Sequence, residues 1–513
     1  MSESRTKKSI RNVLFTLISY FLILLFQLIS RTIFVKLLSV EYLGVNGLFS
    51  NILSVLSLAE LGIGTSISYS LYKPLADNNI SEIKSLMRLF KKLYHLIGIV
   101  VIVLGSVLVP FLEFFISEKP ENFSFEQLKL YYIIFVLNSG ASYFGSYKRT
   151  ILVCDQKQYL TSVISSVNKL MLIILQSAVL IITHNYILYL VTMIFITITE
   201  NIVLTVTADR YYPFLKEKEI SPISKDSLTT IKKNVYAMTF HRIGDVVVNA
   251  SDNLIITKFA SLTLTGLYSN YTIIVYAART VLNQIFSALT ASIGDLTSRN
   301  DVKHDKVVFK NILYINYLLF SIVSLCIVSS INTFIECWLG KEFLLDKHTV
   351  VIIGYFLYIT GIQKTVRVFR DATGIFYYDR YKPIIEAIVN IVLSIPLTIK
   401  YQIFGTLLGT VASTILVSFW VEGYVFFKYH FHESPFGYFG NQLKYLFTFS
   451  LGIIGCSLMD SYISFPSNLI IELFIRLVIT FVIFGVTIIL FYIKTEQMKY
   501  FLDLIKRIIK KKV

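Results

Sequence analysis

Apolar residues run along this chain in blocks of about 20 or more, parted by short polar stretches. Fourteen blocks are expected as helices, near 13–38, 43–72, 93–117, 127–147, 161–183, 187–208, 236–258, 266–292, 310–332, 349–369, 383–400, 404–427, 445–461 and 468–493. Each is long enough to cross a hydrocarbon layer about 30 Å thick at about 1.5 Å of rise per residue. The pattern therefore predicts an all-α polytopic membrane protein with 14 transmembrane helices. The first block is too long for a cleaved leader and has no small-residue cleavage site, so it is expected to remain as the first span.

Two of the blocks align without a gap. Gly47-Leu48-Phe49-Ser50-Asn51 falls on Gly266-Leu267-Tyr268-Ser269-Asn270, an offset of about 219. At that offset Glu60 falls on Arg279. Val167-Asn168 falls on Val389-Asn390, and Glu200 on Glu422, at an offset of about 222. An agreeing register in several spans predicts two pseudo-symmetric six-helix lobes plus two extra C-terminal helices. The expected boundaries are 1–208 for the N-lobe, 209–235 for a cytoplasmic linker, 236–428 for the C-lobe, 429–493 for spans 13 and 14, and 494–513 for a basic amphipathic tail. Repeats with an even number of spans share one orientation in the membrane, with a site expected between them.

Charge adds a direction. Hydrophobic residues make up 55% of the chain and charged residues 16%, and the net charge is +16. Counted from a cytoplasmic N-terminus, about 34 of the 48 Lys and Arg fall in inner loops and tails, and about 5 in outer loops. Both termini are thus expected in the cytoplasm, and the basic excess is expected to face anionic inner-leaflet lipids rather than nucleic acid. No loop is long enough to carry a basic nucleic-acid surface. Two segments read as interfacial helices or, more simply, as topology anchors: Ile83, Met87, Phe90 and Tyr94 amid Lys84, Arg88, Lys91 and Lys92, and Phe501, Leu502, Ile505 and Ile509 amid Lys506, Arg507 and Lys510 to Lys512. The four cysteines are scattered, which fits small apolar fillers and neither a disulfide framework nor a metal centre. No cofactor is implied.

Candidate chemistry lies in ionisable groups inside the apolar blocks, where each is costly and so tends to be functional. In span 2, Asn46, Ser50, Ser57, Glu60, Gly64 and Ser68 share one helical stripe. A seam between helices explains the small residues there but not the glutamate. In span 7, His241, Asp245, Asn249 and Asp252 share a face beside Arg242, as ligands for a proton or Na⁺ or as a hydrogen-bonded seam. Arg31 in span 1 and Arg279 in span 8 are further intramembrane cations. In span 10, Lys364, Arg367 and Asp371 share a face; Arg367 and Asp371 are expected as anchors at the inner end, with Lys364 deeper. Glu200 and Glu422 are expected to pair with Lys169 and Arg242. Arg31, Arg242, Arg279 and Lys364 are the cations expected to meet a phosphate, which arginine can hold bidentately. Glu60, His241, Asp245, Asn249 and Asp252 are the groups expected to gate the cavity or couple it to an ion.

Several stretches resemble the bacterial polysaccharide-unit flippases of the multidrug/oligosaccharidyl-lipid/polysaccharide exporter superfamily. They are Glu41–Asp77 (EYLGVNGLFSNILSVLSLAELGIGTSISYSLYKPLAD), His241–Phe259, Thr290–Leu296 and Asp379–Leu397. The resemblance implies two six-helix lobes forming a V and alternating access. It also implies a lipid-linked oligosaccharide substrate on polyprenyl pyrophosphate, moved from the inner to the outer leaflet of the bacterial cell membrane for capsule, exopolysaccharide or O-antigen assembly. A polysaccharide polymerase is a partner in that setting. The related lipid II flippases carry cavity arginines in spans 1, 2 and 8; here Arg31 and Arg279 match, whereas span 2 has Glu60. Two alternatives stay open at this point: a cation-coupled drug antiporter of the same superfamily, and a membrane glycosyltransferase or polymerase. The short outer loops and the absence of a nucleophile or phosphate-binding Gly loop argue against an enzyme.

The repeat register generates a first prediction. Reversing the charge of Glu60 or of Arg279 alone should abolish most transport, and reversing both together should restore much of it. Transport in cells carrying each single and the double reversal checks this, and no rescue in the double mutant would refute the pairing.

Overall fold

The computed structural model describes residues 5–510 apart from 61–62, 117–121, 156, 218–222, 224–227, 230, 233–234, 237–238, 240–242, 244–250, 298–300, 374 and 376–377. Among the described residues there is no strand. Among the described residues ten segments are long and apolar enough to cross a membrane, so the chain is a multi-pass membrane protein. The expected span 236–258 lies largely outside the described residues. The chain divides into two compact units, Met1–Gly266 and Leu267–Val513.

The first unit holds α1 (Arg5–Leu37), α2 (Val40–Leu56), α3 (Ile63–Ala76), α4 (Ile80–Val107), α5 (Phe125–Cys154), α6 (Gln158–Thr183) and α7 (Tyr186–Tyr211). Polar residues in the loops start these helices by accepting from backbone amides that would otherwise be orphaned. Asn79 accepts from the Glu82 amide at the head of α4, and Asn185 accepts from the Ile187 and Leu188 amides at the head of α7. Ser124 and Gln127 form a reciprocal capping box on α5. Two apolar clusters pack among the described residues of the unit. One gathers Leu48, Phe49, Tyr132 and Phe135, and the other Leu71, Met87, Phe90 and Ile151.

Three expectations change here. Span 3 runs over Ile80–Val107 rather than 93–117. The basic stretch around Lys84 is consequently the head of this span and not a separate interfacial helix. Ile83, Met87, Phe90 and Tyr94 are buried in the second cluster instead of lying in lipid headgroups. Span 2 is no single helix either, because α2 tightens into a 3₁₀ turn at Ser57–Glu60 before α3 begins.

The second unit takes in most of α8 (Leu262–Thr297), then α9 (Val302–Trp338), α10 (Lys347–Ile362), α11 (Lys364–Thr373), α12 (Lys382–Ser413), α13 (Trp420–Phe426), α14 (Phe436–Tyr462), α15 (Leu469–Tyr492) and the amphipathic α16 (Glu496–Lys510). The apolar segment Lys382–Phe431 is twice the length one crossing needs. It folds as a hairpin that reverses at Gln402, whose φ is +52°. A ladder of polar side chains joins its two arms. The amide of Asn390 donates to the Thr410 and Ser413 hydroxyls at 2.9 and 3.4 Å, and the Ser394 hydroxyl to the Thr406 carbonyl at 3.3 Å. The Thr398 and Thr406 hydroxyls share a hydrogen bond of 2.7 Å. Asn390, Ser394, Thr398 and Thr406 are fully buried, so each finds in the facing arm the partner that lipid cannot supply. The last two spans attach to α9 in the same manner. Tyr317 stacks on Tyr445 at 4.3 Å, and the Thr480 hydroxyl donates to Ser329 at 2.8 Å.

The arms of the hairpin touch closely at Gly405, where a Cβ would lie 2.0 Å from the Leu397 carbonyl oxygen. Backbone cannot yield there as a flexible side chain can. Gly405→Ala should therefore lower stability by about 1–3 kcal/mol, the cost of overpacking. Gly485→Ala, in α15 with nothing within 4 Å, should be neutral or slightly stabilising. Thermal unfolding of the two purified variants in detergent checks the contrast.

Candidate functional site

Within the first unit the ionisable group inside span 2 sits at the break in that span. Ser57–Glu60 forms a 3₁₀ turn, and α3 resumes at Ile63. Such a turn in mid-helix often marks a hinge. It also sets the carboxylate just ahead of the N-terminus of α3, where the helix dipole favours negative charge. Tyr94 of α4 donates its hydroxyl to Glu60 Oε1 at 2.6 Å. Gly64 leaves room for this bond, because a Cβ there would lie 2.5 Å from Tyr94 Oη and 2.7 Å from Glu60 Oε1. Ser57 donates to the Ser54 carbonyl at 2.6 Å and Ser68 to the Gly64 carbonyl at 2.7 Å. These serines satisfy backbone near the break. Asn46 accepts from Tyr186 Oη at 2.9 Å. The expected stripe thus belongs to two half-helices, each with its own partners.

Arg31 lies partly buried in α1 beside Tyr189. Its neighbours belong to the cluster around Phe49, whereas Tyr94 belongs to the cluster around Phe90. The first unit thus holds Arg31 and Glu60 in separate settings. Asp252 is partly buried in the helical stretch 251–259. His241, Arg242, Asp245 and Asn249 lie outside the described residues.

In the second unit, Arg279 is partly buried on α8 within electrostatic reach of Tyr276 and Arg367. Lys364 opens α11 directly after α10 stops at Ile362. This break is also repaired: the fully buried Asn316 of α9 donates to the Gly361 and Ile362 carbonyls at 3.2 and 2.9 Å. Below it lies the densest charge cluster of the unit. Arg367 donates through Nε to both oxygens of Glu422 at 3.0 Å, and Lys382 donates to Glu422 Oε1 at 2.5 Å. Arg370 donates to Asp379 at 2.6 Å, and Glu386 accepts from Thr414 and Ser418 at 3.0 and 2.5 Å.

The expected partner of Glu200 is therefore wrong, and Arg242, the partner expected for Glu422, lies outside the described residues. Glu200 pairs with Arg149, not Lys169, and accepts from Ser165 at 2.8 Å. Glu422 is held by Arg367 and Lys382 of its own unit. Arg367 is accordingly no surface anchor, and the side chain of Asp371 lies outside the described residues. The sequence carried a signal for these pairs. Arg149 and Arg367 stand about 218 residues apart, close to the spacing of Glu200 and Glu422. Each unit thus ties the end of one span to another with the same Arg–Glu pair. Tyr94 was missed as the partner of Glu60 because its helix read as interfacial. Among the described residues no group of three His, Cys, Asp or Glu side chains is arranged for a metal ion.

The all-α membrane bundle described above is similar in fold to several solved transporter structures. It superposes on a structure titled lipid II flippase MurJ, inward closed conformation, with a TM-score of 0.66 and 14% identity, over 93% of this chain and 99% of that one. It superposes on an inward-facing multidrug resistance MATE family transporter of the MOP superfamily with a TM-score of 0.60 and 13% identity, over 80% of this chain and 98% of that one. A third match is a MOP superfamily transporter from Pyrococcus furiosus, whose title reports reverse polarity of the binding pocket; there the TM-score is 0.53 at 14% identity, over 81% of this chain and 94% of that one. At these identities the likeness establishes the fold. No family model matches the chain, and no curated protein matches it in sequence.

The two Arg–Glu pairs differ in burial. Glu422 is 1% exposed and Arg367 29%, against 24% for Glu200 and 42% for Arg149. Leaving buried cations unmatched costs about 3–5 kcal/mol, whereas a wetter pair is worth about 1 kcal/mol or less. Glu422→Gln should therefore lower the unfolding midpoint far more than Glu200→Gln, as measured by thermal scans of both variants in one detergent.

Proposed function

We propose that this protein is a flippase for polyprenyl-pyrophosphate-linked oligosaccharide. It carries repeat units from the inner to the outer leaflet of the bacterial cell membrane by alternating access, for capsule, exopolysaccharide or O-antigen assembly. One observation carries this reading. Arg279 is a partly buried cation midway along the 36-residue helix α8, expected from the sequence as a span, and within its own unit no carboxylate among the described residues pairs with it. A guanidinium so placed is costly unless an anion visits it, and a pyrophosphate is such an anion. In this proposal Arg31, Arg242, Arg279 and Lys364 receive the phosphates. Glu60, His241, Asp245, Asn249 and Asp252 couple the cycle to H⁺ or Na⁺. Both termini face the cytoplasm, and a polysaccharide polymerase takes up the product.

A second reading has its own support. Glu60 is a carboxylate at a break in a span, the kind of group that an ion-coupled exporter of organic cations protonates or loads with Na⁺. The two readings separate on what accumulates when the protein is lost.

Deleting the gene should trap labelled lipid-linked oligosaccharide in the inner leaflet, and the wild-type gene should release it. Arg279→Ala should slow flipping about tenfold to a hundredfold, the worth of a hydrogen-bonded charge contact, with protein levels unchanged. Arg279→Lys should fall between the two. Normal lipid turnover together with new sensitivity to organic cations would instead establish the exporter.

A further inference from the structure

A basic cavity of about 590 Å³ opens in the first unit where α4 begins, α5 ends and the chain leaves α7. Its volume falls within the range of about 300–1,000 Å³ usual for small-ligand sites. Lys84, Arg88, Lys91, Lys148, Lys216 and Glu217 line it. Lys84 is matched by Glu217 at 2.7 Å, and Lys148 by Asp209 outside the lining. Arg88, Lys91 and Lys216 have no carboxylate partner among the described residues, so the cavity carries an unbalanced positive charge. None of the candidate transport residues takes part in it.

The helix that supplies Arg88 and Lys91 also shows where an acyl chain would lie. Leu96, Ile99, Val103 and Val107 are all more than half exposed and follow one another along one face of α4. At 100° per residue Arg88 falls at the edge of that face. From Leu96 to Val107 the stripe is roughly 16 Å long, the depth of one leaflet of hydrocarbon. An apolar track one leaflet deep lies on the helix that supplies the cavity's cations and stops at Leu96, about 12 Å along the axis from Arg88, a layout that suits a phospholipid whose headgroup reaches into the cavity.

We propose that this cavity binds the phosphate headgroup of an anionic phospholipid, with one acyl chain along Leu96–Val107. Basic pockets among transmembrane helices on the cytoplasmic side recognise such headgroups by charge. This is the cytoplasmic leaflet in the orientation proposed above. The site is separate from the transport pathway, and its readout is binding, so failure here and failure of the flipping assay are distinguishable.

The test uses the full-length protein purified in mild detergent and titrated with phosphatidylglycerol, phosphatidylcholine or inorganic phosphate, with bound lipid counted by native mass spectrometry. The wild type should retain phosphatidylglycerol in preference to phosphatidylcholine. Arg88→Gln/Lys91→Gln/Lys216→Gln should weaken that retention at least about tenfold, given the usual worth of each basic residue near an anionic surface. Arg88→Gln alone changes an exposed side chain and should give a smaller loss in the same direction, which keeps the test decisive if the triple variant folds poorly. Unchanged retention in both variants would overturn the proposal. So would an equal loss in Lys303→Gln/Lys310→Gln/Lys444→Gln, which would show attraction to any basic surface. Displacement of the lipid by inorganic phosphate at equal concentration would assign the cavity to a free anion instead.

Discussion

Hydrocarbon offers nothing to a hydrogen-bonding group, so every polar atom inside these spans has to find its partner in the protein. The hairpin Lys382–Phe431 meets that constraint with a ladder of bonds that runs from its tip to Lys382 and Glu422. From the reversal at Gln402 downward, Thr398 faces Thr406, Ser394 reaches Thr406, Asn390 reaches Thr410 and Ser413, Glu386 takes Thr414 and Ser418, and Lys382 closes on Glu422. Slipping one arm past the other by a single turn would break each of these bonds, and no water is at hand to replace them. Apolar packing alone would tolerate the slip, because lipid tails are as apolar as the side chains they would touch. The polar ladder, and not hydrophobic burial, therefore fixes the register of the two helices. That register in turn carries Glu422 to Arg367.

The same Arg–Glu device recurs in the first unit with different weight. Arg149 and Glu200 are wetter than Arg367 and Glu422, and Lys148–Asp209 stands near them where the second unit has Lys382 and the Arg370–Asp379 pair. Two units built on one plan thus differ in how firmly one end is tied. A deeply buried network has only one satisfied arrangement, whereas a half-exposed pair can exchange its partner for water at small cost. The cavity that opens beside Lys148 lies at the looser end.

Much of this was legible in the pattern of apolar blocks. The helical class, the membrane setting and the presence of ionisable groups inside spans all follow from where the charges interrupt the apolar runs. Pairing was less legible. Arg367 and Lys382 were not read as partners of Glu422 because they come from two other stretches of chain, and only the fold brings them to it. Tyr94 read as interfacial because the hydropathy of α4 is weak at its basic head, although the apolar face there is buried against α3 and α5. The break at Ser57–Glu60 could not be read either. Ser-Leu-Ala-Glu is itself an acceptable helical sequence, and Gly62 and Gly64, which follow it, are tolerated in membrane helices. The interruption is imposed by packing, through Tyr94 on the carboxylate and the close approach permitted by Gly64.

The two interrupted spans explain why charged groups sit where they do. A break frees backbone carbonyls that lipid cannot satisfy, so it survives only beside a polar neighbour. At the end of α10 that neighbour is Asn316, which takes two carbonyls at once. Near the break in span 2 Ser57 takes the carbonyl of Ser54, and Tyr94 takes the carboxylate. Each repair gathers polar atoms around a short piece of irregular backbone inside the membrane. Such a place is already partly hydrated in its chemistry, and a charged side chain costs less there than on a continuous apolar helix. Glu60 and Lys364 both stand at these repaired breaks. Ionisable groups inside the membrane and irregular backbone beside them are thus supplied here by one local feature.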